Sequence, residues 1–160
     1  MMPNSDSVPI VYSVIKEALT SQQDQKTSLE TKASALTAFA GGMFALMMAA
    51  RASLVLLSAL SRSLILLSIS LFVASVVLAN IVTWIRRYRF DPNPVTFAEQ
   101  YHSSNAQAIQ LQLISNMISS WKANLVIIER NANFLRATFI SQLLAFLLLG
   151  LALFVSILGM

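Results

Sequence analysis

Three predominantly apolar windows without a charged residue constrain this chain more than any other feature: 33–50, 63–85 and 137–160, of 18, 23 and 24 residues. About 20 apolar residues in a helix cross the roughly 30 Å hydrocarbon core of a bilayer. Lipid offers backbone amides no partner, so a run of this kind crosses only as a helix or as part of a closed barrel. Runs this long that are both apolar and uncharged predict three transmembrane helices. Only 11% of the 160 residues are charged, against roughly a quarter in soluble chains, so lipid is the principal solvent and there is room for one domain.

The remaining segments follow in order. Residues 1–8 are read as a flexible N-terminus. Met1 to Pro9 contains Asp6 and no base, so a secretory signal is not expected and the spans serve as their own insertion signals. Tyr12, Ile15, Leu19, Gln22, Lys26, Leu29 and Ala33 alternate spacings of three and four, which predicts a cytosolic amphipathic helix over 9–32. Its stripe turns polar at Gln22 and Lys26, so it packs loosely or meets a partner.

The first span, 33–50, carries Ala35, Ala38, Gly42, Ala45 and Ala49 at heptad spacing. Small residues let another backbone approach closely, and in lipid such contact drives association. This stripe is expected to be buried against protein. Residues 51–62, bounded by Arg51 and Arg62, are too short to recross and read as a hairpin connection with snorkelling bases. In the second span, 63–85, Ser68 and Ser75 continue the heptad begun at Ser61. Such serines bond a carbonyl of their own or a neighbouring helix for about 1 kcal/mol or less each, or else line water in an oligomeric pore.

Trp84, Arg86, Arg87 and Arg89 combine an aromatic belt with a basic cluster at one boundary and are expected to anchor the membrane interface on the cytoplasmic side. That orientation puts nine bases inside against Arg51 and Arg62 outside, with the N-terminus in and the C-terminus out. Asp91-Pro92-Asn93-Pro94 breaks the chain within a basic turn over 86–95. Thr96 and Glu99 then fit a capping box opening a long cytosolic helix over 96–136. Its expected seam is Leu111, Ile114, Ile118, Trp121, Leu125, Ile128, Ala132, Leu135 and Phe139, running without Pro or Gly into the third span, 137–160. Asn124 and Asn131 lie a heptad apart beside it. The expected fold is an all-α integral membrane protein of three transmembrane helices, with the long cytosolic helix continuing into the third span and packing on the N-terminal amphipathic helix.

Catalysis is not expected. The acids are scattered, there is no Cys, and His102 alone makes no zinc site. No catalytic, cofactor-binding or metal-binding residues are therefore assigned. The expected partners are the lipid bilayer and further protein chains, either copies of this one or other subunits of a membrane complex. Nucleic acid is not among them, because the basic residues are explained by topology.

Ser28-Leu29-Glu30-Thr31-Lys32-Ala33 before the first span, the aromatic-basic run followed by Asp91-Pro92, and the amide-rich helix with Asn124 and Glu129 carry a resemblance. Over residues 25–160 the chain resembles a widespread group of small bacterial membrane proteins, which look like the SLATT and Pycsar transmembrane effectors of phage defence. The resemblance implies a bacterial inner-membrane protein that oligomerises and opens the membrane. The chain departs from it in lacking a nucleotide-sensing domain or a dense basic pocket. The assembly reading, a non-enzymatic interaction or structural subunit, is preferred to the pore-forming one.

Overall fold

The computed structural model of the chain describes residues 8–49, 58–84, 88–89 and 105–158, and every regular element among them is an α-helix. The helices are α1 (Val8–Ala49), α2 (Ala59–Thr83) and α3 (Ala106–Ile157). Each is long and apolar enough to cross a membrane.

Helix α1 runs unbroken through position 33, where the sequence changes from amphipathic to uncharged. A change of solvent is not a change of backbone, and no Pro interrupts the run. Gly41 and Gly42 stay helical, with open space where each Cβ would stand. Helix α2 begins at Ala59, inside the segment expected to connect the spans. Ser58, in extended conformation, caps it by accepting from the Ser61 N–H at 3.3 Å. Arg62 therefore lies in the first turn of the helix, where an exposed charge is tolerated. Helix α3 begins at Ala106, and Asn105 Oδ1 accepts from the Gln107 N–H at 3.1 Å, the bond by which an N-cap asparagine satisfies an orphan amide. Residues 1–7, the connection over 51–57, Arg86, Arg87, 90–95, the expected capping box at Thr96 and Glu99, His102 and the last two positions lie outside the described residues.

The chain forms two compact units, Met1–Ser28 with Ile85–Arg130 and Leu29–Trp84 with Asn131–Met160. The second is a three-helix bundle. Ala40, Met47, Phe72 and Ala145 form one core cluster, and Ala33, Ala79 and Val82 another, joined by Phe134 and Leu135. Because Ala33 clusters with Phe134 and Phe39 stacks near Phe146, α1 and α3 run parallel there; α2 is antiparallel to both, since Ser68 bonds Ala145 while Val82 clusters with Phe134. Alanines at 1% exposure or less on all three helices allow close approach. Phe72 fills the centre, edge-to-face with Phe146 at 5.5 Å between ring centroids.

The buried face of α2 is Ser61, Ile65, Ser68, Phe72, Ser75, Ala79 and Val82, alternating spacings of four and three. That is the repeat of left-handed supercoiled helices. The first unit is built from 8–28 of α1, Tyr88 and Arg89, and 106–130 of α3.

Candidate assembly surface

In the first unit α3 buries Ile114, Met117, Ser120, Asn124 and Ile128, with Trp121 half-buried. The expected seam shares Ile114, Trp121 and Ile128 with this stripe. Its other members in this unit turn outward: Leu111, Ile118 and Leu125 are 39%, 37% and 41% exposed. In the second unit Asn131, Thr138, Gln142, Ala145 and Ala152 are buried, Ala132 and Leu135 are half-buried, and Phe139 is exposed. The line covered by this chain thus passes through Met117, Asn124, Asn131 and Thr138 where the apolar pattern pointed to Ile118, Leu125, Ala132 and Phe139.

Directional bonds account for the rotation. In the first unit the Asn124 side chain grips the backbone of Arg89 twice: Arg89 N–H donates to Oδ1 at 3.0 Å and Nδ2 donates to the Arg89 carbonyl at 3.0 Å. Gln22, 5% exposed, donates from Nε2 to the Trp121 carbonyl at 3.0 Å. The position that weakens the α1 stripe as a hydrophobic pattern is therefore a polar cross-link. Beside it, Lys26 Nζ lies 4.6 Å from the centre of the Tyr88 ring, a cation–π contact. These residues border a cleft of about 200 Å³ whose lining, among the described residues, includes Lys16, Lys26 and Arg89 and no carboxylate. Its field favours anions over cations.

In the second unit Gln142 Nε2 donates to the Leu36 carbonyl at 2.8 Å and to Ser75 Oγ at 3.4 Å, tying α3 to both neighbours. Ser68 donates to the Ala145 carbonyl at 2.8 Å and Ser141 to the Leu71 carbonyl at 3.0 Å. Ser61, Ser68 and Ser75 are all at 0% exposure, so the serine face of α2 is covered by the chain itself. The stripe of Ala35, Ala38, Gly42, Ala45 and Ala49 lies on the opposite footing. All five are exposed, while α1 buries Ala33, Ala40 and Met47. The chain does not cover that stripe, because α2 and α3 pack on the neighbouring heptad line. Of the expected interface anchors, Trp84 is 74% exposed and Arg89 is exposed beyond its gripped backbone; Arg86 and Arg87 lie outside the described residues.

No group of three His, Cys, Asp or Glu side chains able to hold a metal occurs among the described residues. What the described surface offers is shape and apolar contact: an outward heptad on α3 in the first unit, and an uncovered small-residue face on α1 in the second. No protein-family model, curated protein or solved structure matches this chain.

Proposed function

We propose that the chain is a non-enzymatic subunit of a membrane assembly, pairing with copies of itself or with other subunits of a larger complex. The carrying observation is the outward line of Leu111, Ile118 and Leu125, spaced by seven and each about two-fifths exposed. A helix in water that leaves a heptad of large aliphatic residues uncovered has an unpartnered coiled-coil face. The uncovered small-residue stripe beyond Ala35, at Ala38, Gly42, Ala45 and Ala49, supports the same reading, since close backbone contact is how helices associate in lipid. On this reading the first unit stands in the bacterial cytoplasm and the N-terminus is inside. The support for orientation is the distribution of bases, nine on one side and two on the other.

The test is the mass of the purified full chain in mild detergent. The double variant Ile118→Asn with Leu125→Asn changes only outward side chains, so helical content should hold while the oligomer dissociates. Burying the remaining two-fifths of each side chain is worth about 0.6–1.2 kcal/mol, and losing two per chain weakens association roughly tenfold to fiftyfold. An unchanged mass across a dilution series refutes the assembly reading. The burial of Ser61, Ser68 and Ser75 within the chain favours assembly over a pore lined by a water-facing serine face; dye release from liposomes containing the purified protein would support the pore-forming alternative instead.

A further inference from the structure

In the second unit, α1 and α3 together line a groove of about 740 Å³. That is within the roughly 300–1,000 Å³ of sites for small organic ligands. Its walls include Ala35 and Phe39 from α1, and Phe139 and Ile140 from α3, all exposed. The only charged residues of its lining are Lys32 and Arg136. Both are exposed, and neither has an ion-pair partner among the described residues.

The two bases share one end of the groove. Because the helices run parallel here, with Ala33 against Phe134 and Leu135, Lys32 and Arg136 stand at the same level, each just before its uncharged run. Phe39 is seven residues further along α1, about 10 Å at 1.5 Å per residue, and Ile140 is four further along α3. A cationic mouth therefore leads into an aromatic and aliphatic trough.

We propose that this groove is a binding site for an anionic phospholipid, with the phosphate held by Lys32 and Arg136 and an acyl chain lying along Phe39, Phe139 and Ile140. The charge selects this occupant. A zwitterionic lipid fills the trough equally well but gains less at the mouth, and another apolar helix would leave two bases unanswered in a dry contact. The site does not depend on assembly, because both walls come from one chain.

The experiment is native mass spectrometry of the full chain in mild detergent, titrated with phosphatidylglycerol and phosphatidylcholine of identical acyl chains. Each base near a headgroup favours the anionic lipid, so the natural chain should prefer phosphatidylglycerol by about tenfold or more. The double variant Lys32→Gln with Arg136→Gln should bind the two lipids within about twofold of each other, and Lys32→Arg with Arg136→Lys should keep the preference. Ala35→Trp fills the trough from an exposed position and should weaken retention of both lipids. Circular dichroism checks that each variant keeps its helices. A preference that survives the glutamine pair overturns the proposal. So does an Ala35→Trp protein that binds both lipids normally, or one that loses its oligomer while lipid retention is unchanged, which would make a second copy the occupant.

Discussion

Replacing Phe72 by alanine tests the interior of the bundle most directly. The ring is 2% exposed and packs against Ala40, Met47 and Ala145, with Phe146 edge-on. In water Phe→Ala in a core costs about 3–5 kcal/mol. In lipid or detergent the transfer part of that cost falls away, because hydrocarbon surrounds the unfolded ring as well. The cavity part remains: its neighbours Ala40 and Ala145 are too short to fill the space, and ~100 Å³ of void at about 24 cal/mol per Å³ costs about 2.4 kcal/mol. The lost edge-to-face pair adds about 0.5–1.5 kcal/mol. The sum, about 3–4 kcal/mol, should lower the unfolding midpoint in detergent by roughly 10 °C for a chain of this size. Phe139→Ala is the control. Phe139 is 59% exposed, and its loss should stay within about 0.5 kcal/mol of the natural chain. A Phe72→Ala cost under 1 kcal/mol, or equal costs at the two positions, would refute the assignment of inner and outer faces.

Three smaller changes probe the polar cross-links. Asn124→Ala removes both bonds to the Arg89 backbone, and since Arg89 can turn its freed groups to water the cost should be about 1–2 kcal/mol; hydrogen exchange should show the Arg89 amide losing protection. Ser68→Ala breaks the bond to the Ala145 carbonyl and should cost about 0.6 kcal/mol, while Ser70→Ala, whose hydroxyl bonds only the Leu66 carbonyl of its own helix, should leave the midpoint unchanged. Gln142→Leu should cost about 1 kcal/mol or less, because the Leu36 carbonyl retains its helical bond and Ser75 Oγ still donates to the Phe72 carbonyl at 2.7 Å.

The helices were legible because charge-free length and a period of three and four are strong signals, and both survive in the structure. The helix starts were harder to place. A base such as Arg62 marks a boundary of solvent, and the chain can stay helical through it; Ser58 and Asn105, short polar residues that satisfy free amides, mark where α2 and α3 begin. The face that α3 buries within the chain does not follow the large apolar residues, for a related reason. A pattern search puts large apolar residues inside, which holds where water is the alternative. For helices apolar enough to cross a membrane the alternative is hydrocarbon, to which Phe139, Leu143 and Leu147 are as well suited as to a core, and they are 59%, 50% and 62% exposed. The informative line was one of small and polar residues at intervals of seven: Asn124, Asn131, Thr138, Ala145 and Ala152, all at 3% exposure or less.

That line also explains what the buried amides are for. Gln142 bonds a carbonyl of α1 that already has its own helical partner, and so adds little net stability. Turning α3 about its axis is a different matter: in the second unit it would carry Gln142 onto the apolar outer face, where an unsatisfied amide costs several kcal/mol, and in the first it would pull Asn124 from the Arg89 backbone at about 1–2 kcal/mol. The amides therefore act as azimuthal stops. By fixing which face of α3 is inward, they determine that Leu111, Ile118 and Leu125 point outward in one unit and that Phe139 and Ile140 face the groove in the other. An apolar replacement at these amides should leave the helices nearly as stable and their rotation less well defined, so that loss of assembly or of lipid preference, rather than loss of fold, is its first consequence.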